Sequence, residues 1–388
     1  MRRKTLNHGY QNHDGCEFSN SQKLAWLRLI RSENIGPISF HTLIKKYGGA
    51  AEALEALPEL SAKGGMRRQI RICPEDRAEA EMDAALSEGL TLVALGEQDY
   101  PFLLQHIDAA PPLLFVRGKT DLLPSPAIAI VGSRNCSVAG ARLAGEFAAG
   151  LAEAGLTIIS GLARGIDAAA HRATLSQGTI AVLAGGANTV YPDKHVELAT
   201  AIAETGALIS EMPVGYLPRA RDFPRRNRII SGIAIGTLVV EAATRSGSLI
   251  TARLASEQGR DVFAIPGSPL DPRTEGANRL LKQGAQLVTS VDDILDTIAP
   301  QLEDPDMVLS RTSGQASLEA KEHEWHETSE PSDDDRERIV QSLSLTPVTN
   351  DDIIRQCDVP AGTVISVLME LDIAGRIERH PGQRVSLI

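Results

Sequence analysis

The chain has 388 residues, 43% of them apolar and 23% charged, with a net charge of −11. That is enough chain for two or three domains of ordinary globular composition. An acidic balance and only fourteen aromatic side chains count against a basic nucleic-acid coat and against a sheet of stacked aromatics.

Cys16, Cys73, Cys136 and Cys357 lie far apart and form no C-x-x-C pair. Neither a zinc site nor a disulfide framework is indicated; reduced thiols suit a cytoplasmic protein, and no metal or cofactor is expected. No run of eighteen apolar residues occurs, so no membrane span is expected.

Residues 1–20 read as a disordered start. Arg2-Arg3-Lys4 is followed by His, Asp and Asn rather than an apolar core, which is not the pattern of a secretory signal. Residues 21–85 read as helical. A break at Ile35-Gly36-Pro37 precedes a second helix, Ser39 to Tyr47, stopped by Gly48-Gly49. Helix, I-G-P turn, helix resembles a helix-hairpin-helix or SAM-like module. In some such modules the turn amides hold a DNA phosphate, although packing or protein contact is the plainer use.

Residues 86–300 read as α/β. Apolar runs at 128–131, 157–160, 179–184, 207–210, 237–241, 262–265 and 286–289 alternate with helical patterns such as 139–154, 167–176 and 195–205. Continuous apolar strands imply a sheet covered on both faces, hence mostly parallel and doubly wound. Residues 91–95 and 113–116 are candidate edge strands.

Residues 301–335 hold two basic side chains against eleven acidic ones, and residues 126–300 hold sixteen of each. The acidity is therefore local, and the stretch reads as a disordered, solvated linker. The alternative is an acidic arm that competes with nucleic acid. Residues 336–388 give helix, helix, helix, hairpin, the winged-helix pattern. Its third helix, Ala361 to Ile373, has no Lys or Arg and carries Glu370 and Asp372, which favours protein contact over reading duplex DNA.

Ligands of a doubly wound sheet bind beyond the carboxyl ends of its strands. After the first core strand, Gly132 permits close backbone approach, Ser133 offers a hydroxyl and Arg134 a fork suited to phosphate. After the second, Gly161 and Gly165 lie in a turn that opens a helix, an anion cradle without the G-x-G-x-x-G spacing. Asp167 there reads as a helix cap and His171 as a satisfied helix residue. After the third, Gly185-Gly186 leave room for a backbone, Tyr191 is placed to stack on a base and Lys194 to meet a phosphate. After the fourth comes the sharpest feature, five Arg in the ten residues from Arg219 to Arg228, with Phe223 among them. Arg225, Arg226 and Arg228 are read as phosphate ligands and Phe223 as a second stacking ring. The plainer alternative pairs them with Glu211 and Asp222. After the fifth, Ser246 and Ser248 with a helix start form another anion site. Walker A, G-x-S-x-G and H-E-x-x-H are all missing, so no catalytic residue is assigned.

In order, Tyr100-Pro101, Val131-Gly132-Ser133-Arg134, Ser160-Gly161-x-Ala163-x-Gly165-Ile166-Asp167 with His171, Tyr191-Pro192, Ser210-Glu211, Phe223-Pro224-x-Arg226-Asn227-Arg228, Ser246-Gly247-Ser248 and Pro266-Gly267 resemble the DprA/Smf family of bacterial DNA-processing proteins. The match covers about residues 95–290. The resemblance implies a Rossmann-like domain that binds single-stranded DNA without sequence preference, protects incoming DNA in natural transformation and loads RecA recombinase. It also implies a homodimer without enzymatic activity. It assigns Arg134 and the loop from Gly185-Gly186 to Lys194 to phosphate contact, helped by Arg226 and Arg228. His195 departs from the pattern, because family members often carry Asn there.

Two rivals belong to other classes. A nucleotide phosphoribohydrolase of the lysine-decarboxylase-like group would show P-G-G-x-G-T and a following Glu, and residues 246–252 lack both. A regulator that reads duplex DNA would need a basic third helix in the winged module.

Overall fold

The computed structural model describes residues 17–303, 330–380 and 382–388. The expectations for the first sixteen residues and for residues 304–329 lie outside the described residues. The described chain divides into two compact units. One holds residues 17–18 and 81–303, the other residues 19–80 and 330–388.

The first unit is built on a nine-stranded sheet. Its strands are β1 (Leu90–Ala94), β2 (Leu113–Gly118), β3 (Ala127–Val131), β4 (Thr157–Ser160), β5 (Thr179–Val182), β6 (Ala207–Ser210), β7 (Gly236–Val239), β8 (Asp261–Ala264) and β9 (Gln286–Leu287). Their order across the sheet is β1-β2-β6-β5-β4-β3-β7-β8-β9. The seven strands from β6 to β9 run parallel, and β2 and β1 join antiparallel at one edge. Strand β3 shows why the central strands are apolar throughout. Ala127, Ala129 and Val131 enter one core, and Ile128 and Ile130 enter another on the opposite face. With side chains alternating across the sheet, both faces must be covered.

The helices α5 (Val138–Glu153), α6 (Ile166–Ala173), α7 (Val196–Thr205), α8 (Asp222–Ile233), α9 (Ser248–Glu257), α10 (Glu275–Lys282) and α11 (Val291–Glu303) follow the strands in turn. Two expectations change here. The Arg-rich stretch is a loop only as far as Arg221; from Asp222 it is helix α8. Consecutive helical residues turn by about 100°, so its arginines cannot all face one ligand. Residues 301–303 finish α11, with Gln301 buried and donating to Asp261 at 2.6 Å. They are not part of a linker.

The second unit combines both ends of the chain. Helices α1 (Asn20–Arg31), α2 (Pro37–Tyr47) and α3 (Ala50–Lys63) form the N-terminal module; α4 (Glu75–Ser87) leads out of it. Ser19 closes a capping box with Gln22 at the start of α1, and Gly48 in the left-handed region ends α2. The C-terminal module contains α12 (Asp333–Ser342), β10 (Val348–Thr349), α13 (Asn350–Cys357), α14 (Ala361–Ile373), β11 (Ile377–His380) and β12 (Arg384–Leu387). Its three strands pair antiparallel in the order β10-β12-β11, a winged helix. Asp333–Asp335 are the first turn of α12, capped by Ser332, rather than the end of a linker. Three carboxylates there face the positive end of the helix dipole.

Glu370 on α14 is buried and accepts a two-pronged bond from Arg336, Nε to Oε2 at 2.8 Å and Nη2 to Oε1 at 3.0 Å. Removing one partner of a buried pair strands the other charge, at a cost of roughly 3–5 kcal/mol. Arg336→Ala is therefore expected to lower the unfolding midpoint of this unit in urea. An unchanged midpoint would show that the pair does not hold α12 to α14.

Candidate nucleic-acid interface

The strand order reverses between β3 and β7, so a crevice opens beyond their carboxyl ends. The loops that leave there hold one another. Ser133 N donates to Glu241 O at 2.7 Å, and Ile166 N to Ser133 O at 3.3 Å. The Glu241 carboxylate accepts from Ser137 N at 2.9 Å and from its hydroxyl, while Ser137 Oγ caps α5 through Gly140 N. Asp167 lies inside the first turn of α6 rather than capping it. Its Oδ2 accepts Gly161 N and Ala163 N, each at 3.2 Å, and so shapes the turn after β4.

The glycines serve these loop contacts. Gly165 has φ +79°, and a Cβ on it would overlap the carbonyl oxygen of Ser133. A Cβ on Gly186 would come within 2.5 Å of Pro213 O, and Gly186 N donates to Tyr216 O at 2.9 Å. Gly132, Gly161 and Gly185 are likewise closed over, by Ile166, Arg226 and Tyr216. At each of these five glycines the space a Cβ would take is occupied by another part of the chain.

Arg226 is the clearest correction to the expected phosphate ligands. It is buried, and Nη1 donates to Gly161 O at 2.8 Å and to Val182 O. Burial lowers its pKa to about 10, opposed by the Asp167 charge, so it stays a cation at neutral pH. Burial pushes the Asp167 carboxyl up, and Arg226 pulls it back. Arg228 is half-buried and spent on Glu211, with Nη2–Oε2 at 2.6 Å and Nη1–Oε1 at 3.0 Å. Ser246 and Ser248 face each other at 2.7 Å between their hydroxyls, at the start of α9.

What remains outside is cationic. Arg134, Lys194 and Arg225 are exposed, and so are Arg164, Arg219, Arg221 and Arg245 on the same set of loops. The acids of these loops mostly turn inward. Asp167, Asp222 and Glu241 are buried, Glu211 holds Arg228, and Asp193 is exposed. Asp222 accepts from Tyr216 Oη at 2.9 Å and Arg219 N at 2.8 Å. A domain neutral on balance thus shows an excess of positive charge at this rim. Sequence reading did not single out Arg164 or Arg245. A basic residue in each loop after a parallel strand was the signal available.

Three of the expected residues meet. The Arg134 guanidinium lies 5.3 Å from the centre of the Phe223 ring, and Tyr191 meets Phe223 edge-on at 5.8 Å. They come from the loops after β3 and β5 and from the first turn of α8. Tyr191 is 55% exposed and lies in the loop between β5 and α7. His195 is buried at the start of α7, and its Nδ1 donates to Leu162 O at 2.9 Å. The departure at this position therefore ties the Lys194 loop to the turn after β4. Among the described residues no group of His, Cys, Asp and Glu is placed to hold a metal ion, and no helix is long and apolar enough to cross a membrane.

A doubly wound Rossmann-like domain, accompanied by a helical-hairpin module and a winged helix, is the architecture of a class of DNA-processing proteins. Residues 91–299 match the family of DNA recombination-mediator protein A, residues 20–84 the DprA-like N-terminal HHH domain and residues 324–383 the DprA winged helix domain. The chain belongs to this DprA/Smf family, as the order of its motifs implies. It is 42% identical over 306 residues to Protein Smf of Escherichia coli, covering 76% of this chain and 77% of that one. It is 49% identical over 198 residues to DNA processing protein DprA of Streptococcus pneumoniae, covering 50% and 70%. The solved Streptococcus pneumoniae DprA matches with a TM-score of 0.60 at 36% identity, over 72% of this chain and 98% of that one. DNA processing protein A of Helicobacter pylori, solved for its single-stranded DNA binding mode, matches with a TM-score of 0.50 at 27% identity, over 54% and 97%.

His171 sets a pH limit on this domain. Its ring is buried beside Thr179, with Nδ1 2.9 Å from the hydroxyl, and burial lowers its pKa to about 3. The folded ring stays neutral while the unfolded one takes up a proton below about pH 6.5. The unfolded state then binds more protons, so stability falls as pH drops from there toward 3, by on the order of 2 kcal/mol at pH 5. Urea unfolding at pH 7.5 and pH 5 should show this loss, and His171→Asn should reduce it. Equal losses in both proteins would exclude His171 as the source.

Proposed function

We propose that this chain binds single-stranded DNA without sequence preference along the cationic rim, as a binding protein rather than an enzyme. Arg134, Lys194 and Arg225 hold phosphates, and Tyr191 and Phe223 offer faces to bases. One observation carries the reading. Arg134, Phe223 and Tyr191, from three separate elements, are in contact on a rim whose acids are mostly buried. Cations without base-edge readers give affinity without sequence preference. The single-stranded DNA binding named for the Helicobacter pylori relative supports it.

On this reading the covered strand is protected and passed to RecA in recombination, including natural transformation where the host takes up DNA, by a homodimer working in the cytoplasm. These finer roles rest on family membership. The phosphoribohydrolase alternative loses ground, because residues 246–252 carry neither P-G-G-x-G-T nor the following Glu.

Arg134→Ala with Lys194→Ala is expected to weaken binding of labelled oligo-dT at least ten-fold in fluorescence anisotropy. Each lost phosphate contact removes about 0.7 from the slope of log affinity against log salt. The double variant should therefore flatten that slope by about 1.4. Unchanged affinity and slope in a folded variant would overturn the assignment.

A further inference from the structure

The third helix of a winged helix normally enters the DNA groove, and the turn of a helical hairpin offers its amides to a phosphate. In this chain the two elements are occupied by each other. Nine of the thirteen residues of α14 are buried. One side of the helix, with Val364, Val367, Leu368 and Leu371, fills the core of its own module. Met369 and Ile373 instead complete the core of the N-terminal module, beside Leu29, Phe40, Leu43 and Leu57.

Polar contacts fix this docking at the hairpin. Asn34, in the turn before α2, donates Nδ2 to Ile373 O at 3.0 Å. Helix α2 has no side-chain cap at Gly36. The Asp372 carboxylate lies at its first turn and accepts from Ser39 Oγ at 2.6 Å, with Arg379 Nε at 2.8 Å on the same oxygen. A carboxylate at the first turn of an uncapped helix stands where an anion is favoured. Charge agrees. Residues 19–80 hold ten basic and seven acidic side chains, and residues 330–388 hold six and eleven. Lys63 and Glu330 join across the two modules at 2.6 Å.

We propose that the two terminal modules mask each other from DNA, with Asp372 taking the place of a DNA phosphate on the hairpin and α14 kept out of any groove. While docked, this unit is silent toward DNA and leaves binding to the Rossmann-like domain. Once opened, the basic hairpin module gains affinity for DNA of any sequence.

Gly64 supplies a clean test. It has an ordinary helical conformation, yet a Cβ there would overlap Glu370 O and lie 2.7 Å from the Ala374 side chain. Gly64→Gln therefore opposes docking without altering either core. Met369→Glu with Ile373→Glu does so by a second route. In the full chain with a protease site placed between Arg311 and Thr312, the cleaved C-terminal fragment is expected to stay with the remainder on size exclusion. Either opening change should release it. In a second arm, Arg134→Ala/Lys194→Ala protein is titrated with a labelled 30-base-pair duplex at low salt. Binding by the closed form as tight as that of the opened form would overturn masking. A gain of ten-fold or more on adding Gly64→Gln supports masking. Separation of the cleaved parent, retention by both opened forms, or no gain in affinity with the helices intact by circular dichroism would overturn it.

Discussion

The rim depends on one buried cation. Arg226 is removed from water and yet remains charged, because carbonyl oxygens at the ends of β4 and β5 accept from it and Asp167 lies close enough to balance it. Asp167 in turn collects the amides of Gly161 and Ala163. A buried charge tolerates little displacement, since any lost partner leaves it unsolvated. The network therefore ties the ends of β4 and β5 to α6 and α8. The exposed loops stand on that frame, and Arg134, Tyr191 and Phe223 meet above it.

The same frame explains how a neutral domain presents a charged surface. Its acids are consumed in orienting loops: Glu241 on Ser137, Asp222 on Tyr216 and Arg219, Glu211 on Arg228. The cations left outside have long side chains and few partners. Net charge says little about such a surface, because burial sorts the signs after the chain has folded.

The strands and most helices were legible in the sequence, since apolar runs and capping signals are local. The residues that meet at the rim were also legible as an ordered set of motifs. Less legible was what each motif touches. Phe223 to Arg228 looks like one basic patch along the chain, but the helix that starts at Asp222 turns Arg226 into the core and leaves Arg225 outside. The paired glycines at 185 and 186 read as room for a backbone. They are filled by the loop after β6, a long-range contact that no local pattern reveals. Asp333 to Asp335 read as linker because acidic runs usually stay solvated. Here Ser332 and the helix dipole recruit them into α12.

The core that Met369 and Ile373 complete has a consequence for synthesis. Asn34 and the carbonyl it binds are 339 positions apart, with the whole Rossmann-like domain encoded between them. On the ribosome the N-terminal helices emerge first, with Phe40 and Leu43 lacking part of their final cover, and wait for nearly the entire chain. The intervening domain has its own cores and can fold during that interval. This module is thus made before the Rossmann-like domain and finished after it, and a chain that stops short of residue 369 leaves an apolar face on these helices, far from its broken end.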